Sequence, residues 1–159
     1  MEEAEGLSSS APEPLLSSKM QHRSSPEDQN FRRDFEACRI PPAEFNHRGH
    51  VRLAYVYLTE HDPNAAYQLM RDALFSFIQH NAIDPAKYHE TITRAWIMAV
   101  RHFMVITPSS ESADEFIEKN PRLLDSKIML THYSAEVLFS EEARAKFVEP
   151  DLHPIPKHG

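Results

Sequence analysis

The chain has a single cysteine, three glycines and no apolar run long enough to cross a bilayer. One cysteine, Cys38, excludes an intramolecular disulfide framework and fits a reducing compartment. Placed beside Arg39 and just before the Pro41-Pro42 pair, it reads as a structural residue and not as a nucleophile. No stretch approaches the roughly 18 apolar residues of a membrane span, and the first thirty residues lack an apolar segment of signal-peptide length. A soluble, cytoplasmic protein with no membrane partner is therefore expected. A basic patch is also missing, so the electrostatic footprint of a nucleic-acid binder is absent and nucleic acid is set aside as a partner. Convincing strand alternation is lacking too. With few glycines, and with most prolines lying between periodic segments instead of inside them, helical periodicity dominates.

At 159 residues the chain is long enough for one domain with a real core. Residues 1–28 are rich in Ser, Pro and Glu, with Leu7, Leu15 and Leu16 almost their only large apolar groups, and are expected to form a disordered tail. A single helical domain is expected over 29–151 and an extension over 152–159. Three helix starts carry an Asp or Asn cap before proline: Asp62-Pro63, Asp84-Pro85 and Asn120-Pro121. They frame an all-α, compact bundle of five or six helices. A first helix runs from about Ala43 or Asn46 to Glu60, a second over about Pro63 to His80 and a third from about Pro85 to Ile106. A short one follows near Ala113 to Lys119. The next covers about Pro121 to Tyr133, and Ser134 caps a last one ending near Val148.

What the chain does have is histidine at the head of apolar stripes. At about 100° per residue, His47, Val51, Ala54 and Leu58 form one stripe, with His50 to its side. His89, Thr93, Trp96, Val100, Phe103 and Met104 form another, and Leu124, Ile128 and His132 a third. Buried positions normally reject groups that must be hydrogen-bonded. Short connections favour antiparallel neighbours, which would bring His47, His50 and His89 to one pole of the bundle, with His132 as a weaker member. Helix N-termini favour neutral imidazole, the form a metal needs. The same imidazoles also fit two other readings, a metal-free catalytic or ligand pocket and plain structural hydrogen bonding.

The fourth ligand or general base in the metal reading is Glu90, with Glu44 as the other candidate through its Glu-x-x-His spacing to His47. Glu90 has a competing reading as a surface pair with Arg94 at i+4. Tyr88 and Tyr133 flank the pole as proton donors. Arg48 or Arg94 would receive a substrate carboxylate or phosphate, with Trp96 beside them, although solvated faces explain such arginines as well. His61-Asp62 invites comparison with all-helical phosphohydrolases, but Asp62 already serves as a helix cap before Pro63.

The segments Phe45-Asn46-His47-Arg48-Gly49-His50, Tyr88-His89-Glu90-Thr91-Ile92-Thr93 and Phe147-Val148-Glu149-Pro150-Asp151 resemble a set of small, uncharacterised bacterial all-helical proteins. These carry F-x-H-R-x-H, Y-H-E-T-x-T and F-x-x-P-D segments. The resemblance covers most of residues 43–151, implies a stand-alone domain and brings no activity with it.

The leading expectation is thus a small metal-dependent enzyme acting on a small, anionic organic molecule. A mononuclear iron would suit an oxygenase or lyase, and zinc a hydrolase; manganese fits the ligand types as well. Iron is slightly favoured because no His-Glu-x-x-His segment is present. The competing expectation is a non-enzymatic module that binds a small ligand or dimerises, in which the histidines are structural; a homodimer is the one oligomer entertained.

Overall fold

The computed structural model describes residues 21–158, and every regular element among them is helical. The expected tail lies outside the described residues as far as residue 20. From there the boundary at 28 is corrected, because residues 21–28 belong to the packed structure. Ser25 Oγ accepts the Asp28 N–H and Asp28 Oδ2 accepts the Ser25 N–H, each at 3.0 Å, a reciprocal capping box that opens helix α1, Pro26–Glu36. His22 and Asp28 are both buried. At the other end the supposed extension is anchored as well: Leu152 N–H bonds to His132 O at 2.9 Å, and Ile155 is buried.

Helix α2, His47–Glu60, is capped by Asn46, whose Oδ1 accepts the Gly49 N–H at 2.9 Å. Helix α3, Pro63–His80, starts on Asp62, which accepts the Ala65 N–H at 2.8 Å; this is the ordinary capping role expected of it. A 3-10 turn over Pro85–Lys87 precedes α4, Glu90–Ile106, and α5 spans Ala113–Lys119. Helices α2, α3 and α4 pack against one another, and α1 crosses α2 and α3. The apolar stripe read for α2 understates its burial: Val51 and the whole run Leu53–Leu58 are buried, as befits a helix enclosed on nearly every side. Gly49 lies where a Cβ would meet Phe45 Cδ1 at 3.2 Å and Phe31 Cζ at 3.5 Å, so α1 and the Pro42–Glu44 turn close tightly on the start of α2.

The last third departs from expectation. In place of one helix over 121–133 there are two 3-10 turns, Pro121–Leu124 and Ser126–Thr131. Asn120 does not cap the first. Its amide donates to Phe116 O and its carbonyl accepts the Thr107 hydroxyl inside the core. Asp125 then takes the Lys127 N–H and restarts the chain, a side chain competing with the helix ladder. The expected helix from 134 to 148 is likewise split into α6, Ala135–Leu138, and α7, Glu141–Ala145, because Ser140 caps a second start. Helix α7 packs on α4. No described helix is long and apolar enough to cross a membrane. Cys38 takes φ 59° in the turn after α1, with Sγ 3.7 Å from Ser76 O, in keeping with a structural role.

Candidate functional site

His22, His47, His89 and His132 each go to a carbonyl. His47 Nε2 donates to Leu123 O at 2.8 Å, and its ring meets Trp96 edge-on with centroids 4.7 Å apart. His89 is the N-cap of α4: Nδ1 accepts the Ile92 N–H at 3.1 Å while Nε2 donates to Leu138 O at 2.7 Å, so both ring nitrogens are engaged and the tautomer is set by the network. His132 Nδ1 donates to His153 O at 2.8 Å. His22, at the edge of the expected tail, donates from Nε2 to Met104 O at 2.7 Å. Leu123, Leu138 and Met104 all lie in the last turn of a helix or 3-10 turn, where carbonyls have no partner within their own ladder. The imidazoles satisfy these orphan acceptors from other parts of the chain.

These bonds take both ring nitrogens of His89 and one each of His47 and His132. A nitrogen that donates a proton to a carbonyl has no lone pair for a metal. His47 meets α4 at Trp96, seven residues beyond the His89 cap, or roughly 10 Å of helix rise. His132 sits in the 3-10 region and ties down residues 152–153. Glu44 belongs to the Pro42–Glu44 turn and not to α2, so its spacing to His47 is not a helical pair. Among the described residues no group of three or more His, Cys, Asp or Glu side chains is placed to hold a metal ion.

His50 is the exception among the imidazoles. Its Nε2 is buried with no hydrogen-bond partner, and its ring lies nearly parallel to Phe45. Burial, helped by the charge of His47, pushes its pKa down to about 4. Burial also lowers His89, against the pull of its bond to Leu138.

Of the residues expected to do acid–base work, Glu90 and Tyr133 are engaged too. Glu90 pairs with Arg71 of α3 at 3.2 Å and not with Arg94; burial raises its carboxyl, with Arg94 opposing. The Tyr133 hydroxyl donates to Val148 O at 2.6 Å, and burial pushes it up to about 12. Tyr88 packs on Phe75 with its hydroxyl buried and raised by that burial. Trp96 is core. Arg48 makes an exposed ion pair with Asp114 at 2.9 Å.

Arg94 alone among the expected substrate residues lines a cavity. This space of about 330 Å³ lies between the start of α3, one face of α4 and residues 147–158. Helix α4 contributes Arg94, Ile97, Met98 and Arg101, the i, i+3, i+4, i+7 positions of a single face. The Arg94 guanidinium lies 4.8 Å from the Phe147 ring centroid and 5.4 Å from that of Tyr67, so aromatic carbon is close to its π-system while its N–H edges remain for ligand. Arg101 Nε is buried without a partner. Among the described residues neither arginine forms an ion pair, and the one acid of the lining, Glu149, is already 3.6 Å from Lys157. The cavity is therefore cationic, with an apolar floor. Its signal in the sequence was the apolar Ile97-Met98 pair between two arginines on one flank, which breaks the pattern of a solvated face.

No protein-family profile, curated protein or solved structure matches the chain. The resemblance drawn above rests on its motifs alone.

Proposed function

We propose that the protein is a binding module for a small organic anion with an apolar body, taken into the cavity between α3, α4 and residues 147–158. One observation carries this reading: Arg94 and Arg101 share a face of α4 and, among the described residues, form no ion pair, and Ile97 and Met98 separate them. Arg94 is exposed and Arg101 half-buried with its Nε enclosed, so both can offer a carboxylate or phosphate paired charge-assisted bonds, and the floor between the two accepts hydrocarbon. Glu90, Tyr88 and Tyr133 lie outside the lining, which favours binding over turnover. The histidines act in this reading as structural donors.

Calorimetric titration with octanoate, benzoate and inorganic phosphate tests it, with amide-shift mapping to locate the site. Octanoate is expected to bind best and to perturb Ile97, Met98 and Tyr67. Replacing Arg94→Gln or Arg101→Gln should weaken it by about ten- to a hundred-fold, the value of a hydrogen bond to a charged group, while Arg48→Gln leaves it unchanged. Saturable binding that maps elsewhere, or equal loss in Arg48→Gln, would overturn the reading.

A further inference from the structure

We propose that residues 156–158 form a proton-operated clasp on the rim of this cavity, closed by the contact between His102 and His158; its consequence for ligand rests on the anion-site reading above. His102 Nδ1 and His158 Nε2 are 3.0 Å apart, and the rings are nearly parallel with centroids 5.2 Å apart. Such a contact requires one nitrogen with a proton and one with a lone pair. Two facing nitrogens thus share a single proton while the contact is closed. A second would set N–H against N–H and cation against cation.

The surroundings make that second proton incompatible with closure. Helix α4 brings Arg94 and Arg101 to the rim, and the segment brings Lys157 and Glu149, which largely cancel each other. Arg122 lies over Phe103, whose ring is edge-on to His102. The α3 residues at this rim, Pro63, Asn64 and Tyr67, are uncharged. The balance is cationic, through Arg94 and Arg101. Burial, and then the charge of His158, hold the His102 pKa below its ordinary value.

The arm has little else to hold it. Upstream, the chain is pinned by the backbone bonds of Leu152 and His153 to His132 O, by the His132 side chain on His153 O, and by the buried Ile155. Beyond Ile155, among the described residues, only the imidazole contact and the exposed Lys157–Glu149 pair at 3.6 Å remain, and an exposed ion pair contributes little. A second proton on the pair frees the arm and removes Lys157 and His158 from the rim. Ligand is held at neutral pH and leaves faster in acid.

The test uses the full chain labelled with 15N. Imidazole 15N shifts and the heteronuclear NOEs of the Lys157 and His158 amides are followed from pH 8 to pH 5, and octanoate dissociation is read by line-shape analysis at pH 7.5 and 5.5. One bare and one protonated facing nitrogen with ordered amides are expected at pH 8, and disordered amides at pH 5. Octanoate should dissociate about five-fold faster at pH 5.5, the value of one net hydrogen bond, while His158→Ala is fast at both pH values. Amides that stay ordered at pH 5, or octanoate kinetics unaltered by His158→Ala, would overturn the clasp. An arm that opens with pH in a protein that never binds octanoate would support the clasp and sink the anion-site reading instead.

Discussion

Replacing Asp28 by alanine should be among the most damaging single changes in this fold. The Asp28 side chain is 2% exposed, and three donors converge on it: Arg52 Nε at 2.9 Å on Oδ1, with the Ser25 N–H at 3.0 Å and the Ala113 N–H at 2.8 Å on Oδ2. One carboxylate therefore joins the cap of α1, the middle of α2 and the first residue of α5, 85 positions away. Breaking a buried ion pair by removing one partner costs about 3–5 kcal/mol, and a buried N–H left without an acceptor about 1–3 kcal/mol. Arg52 is a quarter exposed and stacks on Phe31, so water and the ring soften its share. A total of about 4 kcal/mol is expected for Asp28→Ala, which for a domain of this size lowers Tm by roughly 15 °C. Urea denaturation followed by circular dichroism, with the m-value checked for constancy, reads this directly. Asp34→Ala, which removes the exposed pair with Arg39, is the control and should cost less than about 1 kcal/mol. Arg52→Met should cost less than Asp28→Ala, because the two backbone donors keep their acceptor. If Asp28→Ala falls within 1 kcal/mol of the wild type, or Arg52→Met matches it, the three-way junction is not what holds these helices together.

The remaining predictions concern the imidazoles. His50 has a native pKa of about 4 against an ordinary 6.5, so the unfolded chain binds the proton first and stability is lost as pH falls from about 6.5 towards 4. The loss from this group is on the order of 3 kcal/mol when complete, and His50→Leu should flatten the slope of stability against pH in that window; an unchanged slope would show that His50 is solvated. His89→Ala removes an N-cap and the donor to Leu138 O together and should cost about 2–4 kcal/mol, whereas His89→Asn keeps the cap and should recover about 1 kcal/mol of it; equal melting temperatures for the two would count against the capping role. Protein purified without a histidine tag should hold well under one equivalent of iron, zinc or manganese, and a full equivalent lost in His47→Gln and His89→Gln alike would restore the metal centre.

The direction of the side chains was legible in the sequence, and their destination was not. Helical spacing alone placed His47 and His89 on inward stripes, and Asp62-Pro63 marked the start of α3 at the residue where it begins. Spacing says nothing about what waits at the other side of the core. For His89 that is Leu138 O, 49 positions away, at the end of a four-residue helix that exists only because Ser140 starts another. Asn120-Pro121 carried the same local signal as Asp62-Pro63, yet its amide is spent on Phe116 and Thr107 inside the core. Tertiary bonds override a cap when the side chain has a better use. Ser25-Pro26-Glu27-Asp28 erred in the other direction, since a capping box sat within a stretch whose Ser, Pro and Glu content argued for disorder.

The fragmentation of the last third and the abundance of inward histidines are linked physically. Short helices and 3-10 turns have many ends, and each end leaves carbonyls that must find donors if they are buried. Lysine or arginine would bring a permanent charge into the core, and serine is too short to cross it. A neutral imidazole supplies an N–H at the tip of an apolar ring, which is why His22, His47 and His89 each combine a carbonyl bond with burial or aromatic packing. That choice makes the fold sensitive to acid, because burial holds the His22 and His89 pKa values below their ordinary value, so the unfolded chain takes the proton first and stability falls as pH falls. It also separates these imidazoles from the arginines of the cavity. His22, His47 and His89 have protein acceptors and are part of the scaffold, while Arg94 and Arg101, among the described residues, form no ion pair and face a cavity. The Arg101 Nε, buried beside an apolar floor with no acceptor among the described residues, costs stability, and it is there that a ligand has most to contribute.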